Sequence, residues 1–401
     1  MHTLPYWRLS GYYFFYFAFI GAFSPYFGLY LQSLSFSAWD IGLLMSQMQL
    51  MRLFAPYVWG ALADRLAQRI VVVRLAALLS LLGFLAFFNV RSFAAMLIAM
   101  ALLAFFWSAA LPLVETVTFD HLREDPARYS RIRLWGSIGF IVAVMGTGAV
   151  LDSLPLPSLL WVIVGTLIGI LIYALAVPEA PSQHLAREHL PVATILRQTR
   201  VRALFAACFA MSAAHGALYV FYSIHLADHH YSTFLVGSLW SLGVLTEIVI
   251  FFFMGGLLSR FGLRAILLVS FAAAVVRFLM IGWGVAWLSV IVLAQLLHGL
   301  TFGAYHAAAI AAINRWFPGR SQARGQALYS SVSFGAGGLV GSLLSGWTWE
   351  RWGAGPTYAL SSTFALVGLL FVALWVHRAD FDEVGEVGEK DPLRVAEGSH
   401  P

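Results

Sequence analysis

Charged residues are scarce in this sequence. Of its 401 residues, 11% are charged and 60% are hydrophobic, and the mean hydropathy is +0.81. This polar content is too low to cover a soluble globule of that size, so the composition indicates a chain that lies in a bilayer. No small-residue cleavage pattern follows the first apolar run, residues 9–34. We therefore expect a first membrane helix there rather than a cleaved signal peptide.

Cysteine is almost absent, since Cys208 is the only one. This excludes an internal disulfide and a cysteine metal cluster. In the segment Asp228, His229, His230, adjacent side chains point apart, so we predict no metal site, and we expect no cofactor. The sequence also lacks a nucleophile–base pair at membrane depth and a soluble output domain. It therefore predicts neither an enzyme nor a sensor.

Long apolar runs dominate what remains, and they predict an all-α membrane protein with twelve transmembrane helices in two six-helix halves. We expect an N-terminal bundle over residues 1–177, a cytoplasmic linker over 178–201, a C-terminal bundle over 202–378 and a disordered acidic tail over 379–401. The predicted spans are 9–34, 39–62, 70–89, 93–118, 133–153, 157–177, 202–226, 233–258, 265–283, 287–313, 325–347 and 356–377.

The basic residues follow these spans. Twenty of the 24 Lys and Arg fall in segments on the side of the two termini, whereas Arg91 and Arg351 alone fall on the other side. This bias predicts a multi-pass protein of the bacterial inner membrane with both termini in the cytoplasm. Because the arginines lie between spans and not along one face, we expect the bilayer, and not nucleic acid, to be the partner.

A segment is repeated 195 residues apart. The stretch from Gly42 to Arg69 matches the stretch from Gly237 to Arg264, and the shift places Arg52 on Glu247. Two membrane-depth helices, each with one ionised side chain halfway along, indicate a duplicated transporter. Glycines also recur in the fifth and eleventh spans, where they allow close helix packing.

Charges within spans are costly. Arg52, Glu247 and Arg277 each cost about 2.5 to 3.5 kcal/mol at the bilayer centre, so they need partners or a polar cavity. One interpretation is a buried ion pair that holds the halves in register. The other is function, because Arg52 can hold a substrate carboxylate in a bidentate pair and a buried Glu247 can carry a proton.

Other polar residues admit two interpretations each. Glu115 and Arg133 form either a salt bridge at the cytoplasmic end or a ligand contact, and spacing alone does not decide between them. His298 and His306 are eight residues apart and share a helix face, but a lone histidine in an apolar helix, such as His215, is more often a core residue.

The stretch GALADRLAQR, residues 60–69, predicts a conformational latch. Gly60 permits close approach at the helix end, and Asp64 suits the start of the next helix because of its dipole. Arg65 and Arg69 can bond carbonyls or acids of a neighbouring span. The second copy has Ser259 in place of Asp64, so its latch is expected to be weaker.

With this loop and the twelve-span duplication, the chain resembles the major facilitator superfamily. It resembles most the phenylpropionate permease family, and also lactose permease, in the stretches FIGAFSPYFGLYL, YSRIRLWGSIGF, AAHGALYVFYSIHL, VGSLWSLGVLTEIVIFF and QLLHGLTFGAYHAA. The resemblance to lactose permease implies a substrate role for Glu115 and Arg133 and a coupling role for Glu247, Arg277 and His298.

The sequence departs from lactose permease at Thr301, where that family branch has an acid. Proton coupling therefore either moves to Glu247 with His298 or His306, or is absent. The phenylpropionate permease family shares Arg52, which lactose permease lacks, and this favours an anionic substrate over a neutral sugar.

Together these features predict a monomeric proton-coupled symporter that imports a small aromatic carboxylate such as 3-phenylpropionate. The alternatives are a sugar or nucleoside symporter and a drug or metabolite exporter. Arg52 or Arg133 would hold the carboxylate, with Glu115 and Glu247 completing the site, and Glu247 would be protonated as substrate binds. The substrate ring would face tyrosines of the first and seventh spans, namely Tyr16, Tyr26, Tyr219 and Tyr222.

Overall fold

The computed structural model describes residues 4–66, 68–122, 128–180, 192–318, 321–377 and 380. These ranges hold helices and short connections without a strand. Most of the predicted linker, residues 181–191, and the predicted tail beyond residue 380 lie outside them. The helices are α1 (Tyr6–Ser33), α2 (Ala38–Leu66), α3 (Arg69–Leu85), α4 (Phe93–Trp107), α5 (Ala110–Leu122), α6 (Arg128–Ser153), α7 (Ser158–Ala176), α8 (Val192–Leu196), α9 (Thr199–Ala214), α10 (Gly216–Asp228), α11 (Thr233–Gly284), α12 (Leu288–Leu296), α13 (Tyr305–Trp316), α14 (Gln322–Ser330), α15 (Gly338–Trp352) and α16 (Ala354–Trp375).

Ten helical segments within the described residues are long and apolar enough to cross a membrane. The prediction of an all-helical multi-pass membrane protein is confirmed, whereas the count of twelve stays a prediction. The two counts differ at two places. Helix α2 is not among the ten, because Gln47, Gln49 and Arg52 lower its hydropathy. Helix α11 is one segment of 52 residues, although two spans were predicted in this region.

Breaks within the spans have local causes. Pro112 lacks the N–H that would bond to the carbonyl of Ser108, and α4 and α5 are separated there. Gly262 interrupts α11 with φ of 75° and ψ of 162°, a backbone conformation that glycine adopts without strain. Residues Gly299–Ala304 and Ser331–Gly337 form π-helical segments, which occur frequently at functional sites.

The two halves of the chain touch at the end of the helices remote from the termini. A Cβ at Gly42 would lie 2.8 Å from Cα of Gly346, and one at Gly148 would lie 2.5 Å from the carbonyl oxygen of Thr233. These contacts define the closed end. The close packing predicted for the glycines of the fifth and eleventh spans is found here. Gly148 of the fifth span packs on Thr233, and Gly346 of the eleventh packs on Gly42, with room only for a hydrogen between the backbones.

At the opposite end the glycines are uncrowded. Apart from the chain neighbours and the nearby backbone of its own helix, no atom of the described residues lies within 4 Å of a Cβ built on Gly60, Gly255 or Gly256. These three positions define the open end, which also carries the N-terminus of α1. Gly60 therefore makes no close helix contact in this conformation, and the close approach expected there stays a prediction.

Candidate functional site

A cavity of about 280 Å³ lies between the two halves of the chain. It receives side chains from helices of both halves and from both π-helical segments. The polar and charged lining residues are Ser24, Gln49, Arg52, Arg133, Ser137, Ser212, Glu247, His298 and Ser342, and the aromatic ones are Phe17, Phe140, Tyr219, Trp240, Phe302 and Phe334. An apolar wall with a few charged groups is the usual make-up of a small-molecule site.

Arg52 projects from α2 on the same face as Gln49, one turn earlier. Its side chain is half-buried and makes no hydrogen bond or ion pair within the described part of the chain. The ion pair with Glu247 that its position in the repeat allowed is therefore not formed. A guanidinium without a protein partner, lining a cavity, is free to bind an anion in bidentate geometry.

Arg133 lies on α6 with Ser137 and Phe140 on the same face. Its guanidinium carbon is 3.8 Å from the centre of the Phe17 ring on α1. This contact holds the cation against an aromatic face without neutralising it. The salt bridge to Glu115, one of the two interpretations of this residue pair, is not formed. Glu115 instead accepts a hydrogen bond of 3.1 Å from the Tyr129 hydroxyl, and it lies outside the cavity lining.

Glu247 and His298 form a carboxyl–imidazole pair in the opposite wall. His298 Nε2 lies 2.7 Å from Glu247 Oε1, with side chains 7% and 15% exposed for the histidine and the glutamate, respectively. Two glycines make room for this pair. A Cβ on Gly243 would lie 3.0 Å from the His298 ring, and one on Gly299 would lie 2.8 Å from the carbonyl oxygen of Thr246. Glu247 and His298 both line the cavity, so a substrate can reach them.

Arg277 is fully buried behind this wall and does not line the cavity. Its guanidinium donates to the Ala294 carbonyl at 2.9 Å, to Thr301 Oγ1 at 3.0 Å and to Gln295 Oε1 at 3.0 Å. It also lies 3.4 Å from His215 Nε2. Neutral oxygens and one imidazole therefore take the place of an acid, and Thr301 accepts from Arg277 directly.

His215 supports Arg277. Its Nδ1 lies 2.8 Å from the Met211 carbonyl, so that nitrogen carries the proton and Nε2 accepts from the arginine. The interpretation of His215 as a satisfied core residue fits this arrangement.

His306 shares a face with His298, as its spacing predicts. The ring of Phe302 stacks between them, with centroids 5.6 Å from His298 and 6.0 Å from His306. His306 Nδ1 is hydrogen-bonded to the Tyr329 hydroxyl at 2.8 Å and lies outside the cavity lining.

Of the four tyrosines predicted to face a substrate ring, only Tyr219 lines the cavity. The prediction is wrong for the other three. Tyr16 stacks on Trp107, Tyr26 donates to the Val144 carbonyl at 2.8 Å, and Tyr222 packs edge-on against Trp240. The aromatic wall is formed instead by residues at helical spacing from the polar lining residues, since Trp240 lies seven residues before Glu247 and Phe302 lies four after His298.

A smaller chamber of about 60 Å³ adjoins the cavity at Arg52. The two spaces share Ile20, Ser24, Gln49, Arg52, Tyr219 and Ser342, so the passage between them is mostly polar. Beyond it the chamber is apolar, with the lining residues Phe19, Phe23, Met45, Met48, Trp107 and Val220.

The predicted latch is described in part. Arg69 forms an ion pair with Asp120 of α5, as expected for a basic residue that bonds an acid of a neighbouring span. Arg65 is exposed at the end of α2. The side chain of Asp64 lies outside the described part of the structure. The role of these residues in conformational change stays a prediction.

Comparison with known proteins identifies similar chains. The family model described as the MFS_1 like family matches residues 6–360. The "Probable 3-phenylpropionic acid transporter" of Escherichia coli (strain K12) is 29% identical over 362 residues, which cover 88% of this chain and 94% of the relative. Maltose permease of Geobacillus stearothermophilus is 28% identical over 386 residues, or 92% and 93% of the two chains.

The fold is similar to that of solved transporter structures. The crystal structure of nucleoside transporter NupG superimposes with a TM-score of 0.81 at 17% identity and covers 93% of this chain and 99% of that one. By sequence, nucleoside permease NupG of Escherichia coli (strain K12) is 21% identical over 337 residues, which cover 78% of this chain and 80% of the relative.

Proposed function

Because the chain belongs to the MFS_1-like family of membrane transporters, we propose that it imports a small aromatic carboxylate, such as 3-phenylpropionate, together with a proton. The observation that carries this proposal is the unpaired guanidinium of Arg52 in the wall of the central cavity. An unpaired charge at membrane depth costs several kcal/mol, roughly, and an anionic substrate removes that cost as it binds. A similar transporter that carries 3-phenylpropionic acid in its name supports the substrate class.

The substrate carboxylate binds Arg52, and the ring packs on the aromatic wall. Phe17, Tyr219, Trp240 and Phe302 offer ring faces or edges within the same cavity, and aromatic pairs contribute about 0.5 to 1.5 kcal/mol each beyond their buried area. Arg133, held over Phe17, adds positive potential near the carboxylate. Glu115 acts at most indirectly, through Tyr129.

Glu247 and His298 carry the proton. Together they present a carboxyl group and an imidazole to the cavity, and these two kinds of side chain commonly donate and accept protons in proteins. Protonation of the pair removes one negative charge from the wall that faces a substrate carboxylate. Substrate and proton therefore stabilise each other's binding, which is the requirement for symport. Arg277 and His306 border the pair and tune it.

For topology, we propose twelve spans in two six-helix domains, with a cytoplasmic linker. Gly262 divides α11 into two spans, and α2 is long enough to cross the bilayer despite its polar residues. The open end then faces the cytoplasm of a bacterial inner membrane, and one chain encloses the whole cavity, so a monomer suffices.

The test is uptake into proteoliposomes. A lightly buffered suspension with a pH dye is given 3-phenylpropionate, cinnamate, a nucleoside, maltose or lactose, with empty liposomes as the control for passive entry. We expect external alkalinisation only with the aromatic acids. Uptake with maltose or a nucleoside alone would favour the neutral-substrate symport that two relatives suggest by name. Transport of a drug-like dye in the direction opposite to that expected for the aromatic acids would indicate an exporter.

A further inference from the structure

A second, separate cavity lies at the open end of the C-terminal half. It is a groove of about 900 Å³ between the interruption of α11 at Gly262 and the last turns of α13. Three arginines line it, Arg260, Arg264 and Arg315, and its remaining lining is mostly apolar. No Asp or Glu is among the described residues that line it. Three like charges around one space create a positive potential that attracts an anion.

The internal repeat shows how this charge imbalance arises. The shift of 195 residues places Arg69 on Arg264 and Asp120 on Arg315. In the first half Arg69 and Asp120 form an ion pair. In the second half the matching positions are both arginines, so the pair is replaced by two like charges.

The helix that follows is also capped differently in the two halves. Glu179 accepts a hydrogen bond of 2.8 Å from the backbone N–H of Ile70, in the first turn of α3. In the second half, no Asp or Glu of the described residues accepts a hydrogen bond from the first turn after Gly262. The helix that restarts there therefore directs the positive end of its dipole towards the groove without an acidic cap from the described part of the chain.

The arginines have donors to spare. Arg264 uses Nε and one terminal nitrogen on the carbonyls of Val376 and Ala373, at 2.7 and 3.1 Å. Arg315 makes no hydrogen bond or ion pair within the described ranges, and Arg260 makes only a ring contact with Phe261. Several N–H groups of this set are therefore free to bind the oxygens of one anion.

The location indicates which anion. The groove lies at the end of two membrane-depth helices, and α11 just before it exposes Phe252 and Phe253, 84% and 58% accessible. An apolar surface of this kind lies against acyl chains when the protein is in a bilayer. Basic pockets at such helix ends bind lipid headgroups. We propose that the groove of Arg260, Arg264 and Arg315 binds the phosphate of an anionic phospholipid whose acyl chains cover this apolar surface.

The experiment measures lipid binding to the purified full-length chain in detergent by native mass spectrometry. Phosphatidylglycerol, phosphatidylcholine and inorganic phosphate are titrated separately. We expect tighter binding of phosphatidylglycerol than of phosphatidylcholine, and a loss of about fivefold in affinity for each arginine removed, in Arg260→Gln and Arg315→Gln. Arg8→Gln is the matched control, because Arg8 is an exposed arginine at the same end but outside the groove.

Arg315→Asp is the sharpest variant, because it gives the second half the acid that the first half has. It should pair with Arg264, keep the thermal stability of the parent chain and lose preferential phosphatidylglycerol binding. Unchanged binding in Arg315→Asp and in Arg260→Gln would overturn the proposal. If inorganic phosphate binds as tightly as phosphatidylglycerol, the groove binds a soluble anion, and the proposal of a lipid site is overturned.

Discussion

Asp152, at the end of α6, accepts hydrogen bonds from the backbone N–H and the hydroxyl of Thr233, at 2.7 and 2.6 Å, where α11 begins. A matching contact joins the other pair of helices. Glu350, near the end of α15, accepts a hydrogen bond of 2.6 Å from the backbone N–H of Trp39 in the first turn of α2. Each carboxylate thus caps a helix of the opposite half, and both contacts lie at the closed end.

We therefore predict that these two caps hold the closed end together. The double substitution Asp152→Asn and Glu350→Gln removes both charges, each worth about 1.5 to 3 kcal/mol in a charge-assisted hydrogen bond. The population should shift towards opening at this end. Spin labels on Ser92→Cys and Asp228→Cys, both exposed at the closed end, with Cys208→Ser, report the change as longer distances.

Asp40→Asn is the matched control for this pair. Asp40 lies at the same end but accepts its hydrogen bond, 3.2 Å long, from Ser37 within the α1–α2 connection, so it does not bridge the halves. Its distance distribution should equal that of the parent chain. A double variant that matches Asp40→Asn would show that the caps do not contribute.

Substitution of Glu247 tests proton coupling. Glu247→Gln keeps the size of the side chain and its hydrogen bond to His298, but cannot change charge. We predict that uphill uptake driven by a pH gradient is lost, while exchange of labelled for unlabelled substrate across the membrane continues, because exchange needs no net proton movement. Loss of both activities, or of neither, would count against a proton role for Glu247.

Arg52 tests recognition of the carboxylate. Arg52→Gln removes a charge-assisted bidentate contact of about 1.5 to 3 kcal/mol, so binding of 3-phenylpropionate should weaken about 10- to 150-fold. The neutral amide of the same acid should bind equally well to both proteins. Binding assays with the acid and the amide separate a lost charge contact from a damaged cavity, since cavity damage would weaken both ligands.

The sequence predicts much of the site because charge at membrane depth is conspicuous. Arg52, Arg133, Glu247 and His298 stand out against apolar neighbours, and all four line the cavity. The tyrosines of α1 could not be sorted in this way. Helix α1 has aromatic residues on every side, so periodicity gives no preferred face, and Phe17 faces the cavity whereas Tyr16 does not.

Contacts between distant segments could not be predicted from the sequence for another reason. Asp152 and Glu350 are polar residues at span ends, where charge is unremarkable, and their significance arises only from the helix of the other half that packs against them. The π-helical segments are not evident from the sequence either, although the first of them directly follows His298, which lies beside Glu247.

The last prediction concerns Gly299, which begins the first π-helical segment. A Cβ there would lie 2.8 Å from the carbonyl oxygen of Thr246 and 3.0 Å from its side chain, both on the helix that carries Glu247. Gly299→Ala must therefore push the two helices apart, at a cost of about 1 to 3 kcal/mol for overpacking. We expect a lower melting temperature and weaker proton-driven uptake, because His298 moves away from Glu247.

Gly165→Ala is the matched control, since no atom of a neighbouring helix among the described residues lies within 4 Å of a Cβ on Gly165 in the middle of α7. Alanine there should stabilise the chain by about 0.5 to 1 kcal/mol, because it restricts the unfolded backbone and favours the helix. Melting curves of the two variants should thus move in opposite directions from that of the parent. If both rose together, the helices would have room at Gly299, and the close contact with Thr246 would not be what holds His298 against Glu247.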